Sequence, residues 1–492
     1  MVQRLQFVTA LRTLLNGIVD VPIPESLHVT GLSVDSRSIK GGDLFLGVPG
    51  IDTDGRSYIQ QAVSDGAAAI VLEAHDNLVE ECAVPSYQVK NLRQYIGLIA
   101  NRFYGFPSRL LYVVGFTGTN GKSTCAGLVA QALEVLGRRC GLIGTVGIGH
   151  CEALRPASLT TPGPVLLQRE LATMVNDGLD TVCMEVSSHA LDQARVSGVD
   201  FDTAVFTNLS RDHLDYHGDM RTYAATKFLL FHDYGVRNAI INTSDPFGVE
   251  FVQAGIPAKV CTFGLDESAD IYPEESDVSS RGIRLKLSTP KGSISFQSSL
   301  FGRVNIINLV AVVAILLALE HTPCSIELAM SKLRPISGRM ELLSSPDASV
   351  LVVVDYAHTP AALEHALRSL REYTTNQIWC VFGCGGERDL GKRSEMGAVA
   401  DRLADRIVLT NDNPRSEDPL EILQQIEAGI QRNKSVSIPD RQEAISYAMS
   451  QAEFGDLVLV AGKGHETHQV MQSERRPFSD RAVVENLLEG TC

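Results

Sequence analysis

The chain has 492 residues, with 44% apolar and 21% charged side chains, 41 Gly and 20 Pro. At roughly 100–200 residues per domain this predicts two or three globular domains, each long enough to bury a core. A formal net charge of -15 argues against a general nucleic-acid binder, and no stretch reaches the ~18 consecutive apolar residues of a membrane span. The ten cysteines include no Cys-x-x-Cys pair. They read as free thiols of a reducing, cytoplasmic setting, not as a disulfide framework or a zinc site. The first residues, Met1 to Gln6, carry no signal-peptide core.

In chain order, residues 1–107 predict a small α/β domain. Strand patterns at 44–48 and 67–72 alternate with a helix from Tyr58 and a second helix over 91–104. Gly105-Phe106-Pro107 ends that helix. Residues 108–336 predict a central domain with strands at 112–116, 181–186, 204–207 and 238–242 and a helix over 123–136. Such βαβα alternation implies a mostly parallel sheet covered on both faces. The apolar run 309–319 reads as a buried helix, and Pro335-Ile336-Ser337-Gly338 as a linker. Residues 337–492 predict a second, Rossmann-like doubly wound sheet. Its strands fall at 350–355, 379–383, 406–410 and 456–461, and its helices at 360–373, 392–404, 419–431 and 441–451. Ligand groups of such sheets gather at the carboxyl ends of the strands.

The sharpest motif is Gly118-Thr119-Asn120-Gly121-Lys122-Ser123-Thr124, between the strand at 112–116 and the helix at 123–136. A glycine turn opening a helix aims backbone N–H groups and the positive helix end at one spot, which suits phosphate oxygens. Lys122 is placed to reach the β- and γ-phosphates of ATP, and the Ser123 hydroxyl to ligate Mg²⁺. The strict pattern asks for Gly at position 116, where this chain has Phe116, so the loop is a shorter variant. Glu185, at a strand terminus ahead of Ser187, Ser188 and His189, offers a hard carboxylate for Mg²⁺. In Asn208-Leu209-Ser210-Arg211-Asp212-His213-Leu214-Asp215, His213 is either a ligand of a second Mg²⁺ or a helix-cap histidine. Lys227, on a helix with Tyr223 and Phe228, reads from the residues alone as a solvated lysine.

Taken together, Gly118 to Thr124, Glu185 to His189, Asn208 to Asp215 and Tyr223-Ala224-Ala225-Thr226-Lys227 resemble the central domain of the Mur ligases. These are ATP-dependent enzymes that add amino acids to the muramyl peptide of the bacterial cell wall. Gly338-Arg339-Met340-Glu341 and Asp355-Tyr356-Ala357-His358-Thr359-Pro360 resemble the family's hinge and C-terminal nucleotide contacts. Gly302, Asn305 and Asn308 resemble its adenine-side element. The resemblance covers essentially the whole chain. It implies that ATP is held by Gly118 to Thr124, Asn305, Arg339 and Asp355. It makes Lys122, Glu185, His213 and Lys227 the catalytic group, with Ser123, Glu185, His213 and a carbamoylated Lys227 as metal ligands. The carbamate would turn a cation into an anion where a second Mg²⁺ needs one.

By the same resemblance, Val34 and Ser36, and with them Ile51, Asp52 and Thr53, lie on the uridine side of a UDP-muramyl dipeptide. Thr160, Thr161, Ser187, Gln193 and Arg195 match contacts to the dipeptide. Leu159 stands where many relatives have Asn, a departure that bears on one substrate hydrogen bond and not on the family resemblance. Asp412-Asn413-Pro414-Arg415 resembles the form that accompanies use of meso-diaminopimelate, with Arg388, Gly462 and Glu466 around the same pocket. The far carboxylate that distinguishes this amino acid from lysine suits a planar guanidinium fork. The implied reaction is amide formation through an acyl phosphate on the D-glutamate carboxylate, in peptidoglycan synthesis. The implied partners are small-molecule substrates, with no nucleic acid and no membrane span, and the chain is expected to act as a cytoplasmic monomer. The alternatives are a lysine-adding synthetase, which would lack Arg415, and a folylpolyglutamate synthetase-like ligase, which would lack the nucleotide-sugar domain. A P-loop switch or nucleotide sensor is the reading from outside the ligases.

Overall fold

The computed structural model describes residues 7–50, 53–74, 82–345, 347–432, 435–472 and 474–489. The first sheet has four parallel strands in simple order: Gly31–Ser33, Asp43–Gly47, Ala69–Glu73 and Ser86–Val89. Leu44, Leu46, Ala69 and Val71 bury one face against the helix Leu92–Phe103. That helix presents Leu92, Ile96, Ile99 and Phe103 at helical spacing to the same core. It ends where expected: Gly105 and Phe106 take the left-handed conformation, and Pro107 opens a short 3₁₀ turn.

The second sheet has seven strands, in the order Lys259–Phe263, Asn238–Asn242, Thr203–Phe206, Tyr112–Thr117, Thr181–Glu185, Cys140–Gly144 and Gly147–His150. Every pair is parallel except the last, a hairpin. One face packs on the helices Lys122–Val135 and Val304–Ala318, the other on Pro164–Asn176 and Met220–His232. The helix Val304–Ala318 begins five residues before the apolar run that marks it in the sequence, so its first turn carries Asn305 and Asn308. Apolar on all sides, it is buried between this sheet and a separate three-stranded antiparallel sheet, Tyr272–Ser279, Gly282–Ser288 and Ile294–Ser298. Ile283, Leu285 and Leu287 point into that core with period two.

The third sheet has six strands, in the order Glu341–Leu342, Leu351–Asp355, Leu457–Ala461, Ile378–Phe382, Arg406–Leu409 and Ser435–Ser437. All pairs but the first are parallel. Pro360–Arg371, Gly391–Leu403 and Pro419–Glu427 cover one face; Arg441–Gln451 and Asp480–Glu489 cover the other. The last helix is held by a fully buried bidentate pair, Arg441 Nε to Asp480 Oδ1 at 2.7 Å and Nη2 to Oδ2 at 2.8 Å. Arg441 Nη2 also donates to Ala461 O, so the burial of this charge is matched by hydrogen bonds. The carboxyl ends of the second and third sheets open onto one shared cleft of about 870 Å³.

Candidate active site

The phosphate-loop residues follow the strand Tyr112–Thr117, as the sequence predicts. Gly118 holds φ 144° and Gly121 φ 82°. A Cβ at Gly118 would stand 2.0 Å from Thr207 Oγ1, so only glycine lets the loop lie against its neighbouring strand. The helix Lys122–Val135 has no side-chain cap, which leaves its first N–H donors for a ligand. Lys122 Nζ donates to Gly118 O and Thr119 O, both at 2.9 Å. Burial lowers the pKa of this ammonium, while Glu185 and Asp212 oppose that effect. Asn208 clasps the loop through Asn120 N and Asn120 O. These features fit the phosphates of a nucleotide, and the Arg339 guanidinium fits as well. Its Nη2 donates to Ser123 Oγ at 2.9 Å, its plane lies 4.2 Å from the Tyr356 ring centre, and its buried Nε has no partner. Asp355 orients the chain beside it by accepting from Met340 N at 2.7 Å. Asn308 Nδ2 donates to Asn305 Oδ1, and both line the cleft.

Glu185 is buried at the end of its strand and accepts from Thr145 N at 2.8 Å and Thr145 Oγ1 at 3.2 Å. Asp212 and His213 line the same cleft and add an oxygen and a nitrogen donor, but the ligand atoms of the three do not all lie within 4.8 Å of one another. Burial tends to raise the Asp212 pKa, but His213, His358 and Lys392 together hold it below the usual carboxylate range. His213 sits in the left-handed conformation at the start of a four-residue helix, where its side chain caps nothing and its ring faces the cleft. Its pKa is pushed down to about 4, first by desolvation, with His189, Lys122 and Lys227 adding to it and Asp212 opposing. The ring is therefore neutral and available as a ligand at physiological pH.

Lys227 departs from the solvated lysine that its sequence surroundings suggest. It is fully buried, donates to Gly118 O at 2.9 Å and stands 4.5 Å from the Tyr223 ring centre. Burial and the nearby Lys122 drive its pKa well down. The amine lies behind the phosphate loop and is not among the groups that line the cleft.

Thr160 and Ser187 line the cleft; Thr161, Gln193 and Arg195 stand behind them. Thr161 Oγ1 donates to Glu185 O, and Arg195 donates to Gln193 Oε1 and Thr161 O, so the group forms one braced shelf. Leu159 is exposed beside it. Val34 is exposed and Ser36 buried on the N-terminal sheet's loops, outside the residues lining the cleft. Thr53 O accepts from Gly50 N; Ile51 and Asp52 lie outside the described residues.

At the other end of the cleft stand Arg388, Asp412, Asn413, Arg415, Gly462 and Glu466, with Pro414 buried one step behind. Lys463 Nζ bonds Glu466 Oε2 at 2.7 Å and Asn413 Oδ1 at 3.1 Å, and Asn413 Nδ2 donates to Glu466 Oε2. Arg415 holds φ 53° and is pinned by backbone bonds to Val470 and Gln472. Among the described residues neither Arg388 nor Arg415 has a carboxylate partner; both guanidinium groups bond only backbone carbonyls. Burial, with Arg388 next to it, lowers the Arg415 pKa.

Asp212, His358 and Lys392 also line the cleft. Asp212 and His358 fall inside motifs legible in the sequence, next to the residues singled out there. Lys392 stands in an ordinary helix start with no motif around it.

Three family models match the chain: the Mur ligase family, catalytic domain, over residues 28–104; the Mur ligase middle domain over 116–316; and the Mur ligase, glutamate ligase domain over 338–464. The UDP-N-acetylmuramoyl-L-alanyl-D-glutamate--2,6-diaminopimelate ligase of Coxiella burnetii is 46% identical over 461 residues, 92% of this chain and 94% of that protein. A solved structure of a ligase of the same name superposes with a TM-score of 0.71 at 32% identity, covering 98% of this chain and 99% of the other. The folylpolyglutamate synthase of Mycobacterium tuberculosis shares the fold at a TM-score of 0.63 and 20% identity, covering 75% and 92% of the two chains. The chain belongs to the Mur ligase family.

Proposed function

We propose that this chain is an ATP-dependent, ADP-forming ligase that joins meso-diaminopimelate to the D-glutamate of UDP-N-acetylmuramoyl-L-alanyl-D-glutamate. The observation that carries the reading is the pair Arg388 and Arg415. It is the amino-acid end of a cleft whose other end is a phosphate loop. Two guanidinium groups without carboxylate partners suit an amino acid with two carboxylates, and they would be left unsatisfied by lysine. Asp412 and Glu466 supply the opposite charge for its ammonium groups. The names of relatives at 46% identity point the same way.

A carboxylate is a poor electrophile, and phosphorylation gives it a leaving group. ATP supplies that phosphoryl group. Gly118 to Ser123 and Arg339 hold its phosphates, and Lys122 balances charge that spreads over the transferring oxygens. Mg²⁺ would be held by Ser123, Glu185 and His213, with Asp212 beside them. Burial and the nearby Lys122 favour the neutral form of Lys227, whose free electron pair a reaction with CO₂ requires, and a carbamate there would add negative charge next to the loop. Thr160, Thr161, Ser187, Gln193 and Arg195 position the acceptor peptide. Val34, Ser36, Ile51, Asp52 and Thr53 would face its nucleotide. Three units, over 1–107, 108–336 and 337–492, would divide these tasks. No helix among the described residues is long and apolar enough to cross a membrane. A monomer working in the cytoplasm is part of the proposal, and the free thiols support a reducing compartment.

The test is phosphate release with ATP, Mg²⁺ and the UDP-muramyl dipeptide, with meso-diaminopimelate or L-lysine added in parallel. Release with the first and little with the second is expected. Release with lysine alone would keep the ligase and overturn the specificity. Release without any amine would favour a nucleotide switch.

A further inference from the structure

On the far side of the phosphate-loop helix from its glycine turn, three side chains from different elements converge. Glu134 stands in the last turn of that helix, His150 ends the hairpin strand Gly147–His150, and Cys151 follows it. Each offers a ligand atom, and the three atoms lie within 4.8 Å of one another. Glu134 Oε1 is 3.1 Å from His150 Nε2 and 3.5 Å from Cys151 Sγ. In a tetrahedral zinc site, with bonds of about 2.0 Å to N or O and about 2.3 Å to S, neighbouring ligand atoms lie roughly 3.3–3.5 Å apart. The side chains therefore already hold two edges of such a tetrahedron, those from Glu134, and the third pair, His150 and Cys151, lies within 4.8 Å. We propose that Glu134, His150 and Cys151 form a binding site for a zinc-class divalent cation, with water in the fourth position.

The surroundings favour a cation. The site lies at the carbonyl end of a fourteen-residue helix, where the helix dipole is negative. Cys140 N–H donates to Glu134 Oε1 at 2.7 Å and fixes the carboxylate from behind. A cavity of about 180 Å³, lined by Cys151, Gln131 and Leu154, adjoins the cluster and gives room for the water. Thiolate with imidazole selects zinc or cobalt over magnesium. All three groups are half-buried, so an ion has access. On binding, the Cys151 thiol releases its proton to solvent and the imidazole keeps one proton, on Nδ1. Without metal that nitrogen faces Glu152 N–H at 3.4 Å, a long contact that yields to solvent. Neighbouring Cys140 and Cys183, 3.8 Å apart and fully buried, bond each other and are not among the three converging groups.

The sequence gives no sign of this site because its ligands lack Cys-x-x-Cys spacing: a His-Cys neighbour pair is completed by a glutamate from another element. Its occupancy would tie the phosphate-loop helix to the hairpin whose turn carries Thr145, the partner of Glu185.

The test is a titration of the metal-free full chain with Co²⁺ in excess Mg²⁺, which occupies the oxygen-rich cleft. The near-ultraviolet sulfur-to-cobalt absorption is read, then displaced with Zn²⁺. One equivalent of Co²⁺ with that band is expected, displaced by one equivalent of Zn²⁺. Cys151→Ser, nearly the same shape, should abolish the band, His150→Ala should weaken binding at least tenfold, and Cys324→Ser, at the exposed thiol, should change neither. No band in the unaltered protein, or a band that survives Cys151→Ser, would overturn the proposal. Unchanged thermal unfolding of the metal-free variants establishes that they are folded.

Discussion

The two ends of the cleft solve the problem of holding charge in opposite ways. At the phosphate end the two lysine amines are held by the chain itself: Lys122 and Lys227 both bond Gly118 O, and glycines bring the backbone close. At the other end Lys463 is paired with Glu466, but the two guanidinium groups keep open donors: Arg388 and Arg415 each bond one backbone carbonyl and lack any carboxylate among the described residues. The first end is preorganised around a ligand that every turnover uses. Under the proposed function the second is an unfilled demand that only a ligand with the right carboxylates would meet, which would place selectivity there.

The contrast breaks most visibly at Lys122. Lys122→Ala is expected to cost about 10³-fold in turnover, roughly 4 kcal/mol of transition-state stabilisation, with the KM for diaminopimelate little changed. Steady-state kinetics check this, and a raised amino-acid KM would mean that the two ends are not separate. Next is Arg415→Ala, which should lower kcat/KM for diaminopimelate about 10–100-fold, the ~1.5–3 kcal/mol of a charged hydrogen bond, while nucleotide binding by calorimetry stays intact. Arg415→Lys should recover only part, since a point charge does not replace a fork. At Lys227, ¹³C-labelled bicarbonate should give a carbamate resonance that Lys227→Ala removes. The smallest effect is at His465, whose pKa burial pushes down to about 4. Unfolded, it takes a proton below about 6.5 while the folded chain resists down to about 4. The melting temperature should therefore fall as pH drops through that window, and His465→Gln should blunt the slope.

Legibility in the sequence follows the same division. The phosphate loop is a contiguous string whose glycines and lysine are needed in that order, and the strands beside it are apolar runs. The strands Cys140–Gly144 and Gly147–His150 are not legible, because glycines interrupt their apolar pattern. Gly282–Ser288 does carry a two-residue period, but it stands alone between polar stretches. At the amino-acid end, Asp412 to Arg415 is readable as a motif, whereas the bonds of Asn413 to Lys463 and Glu466 are made only by folding. Lys227 is the clearest failure of local reading. Nothing in its helix announces burial; the phosphate loop, over a hundred positions earlier, closes over it.

The loop Gly462 to Glu466 touches more than its own pocket. A Cβ at Gly338 would meet His465 N at 2.1 Å, so the linker glycine, at φ 66°, and this loop lie backbone against backbone. His465 Nε2 reaches across to Thr145 O at 3.1 Å, and Thr145 in turn holds Glu185. Glu466, one residue on, belongs to the amino-acid pocket. Five residues thus form a latch: the same short segment borders the Arg388 and Arg415 end of the cleft, leans on the linker glycine and grips the wall that carries Glu185. Under the proposed function, letting the finished peptide go would mean undoing that latch, which would make departure, and not only arrival, answerable to the amino acid.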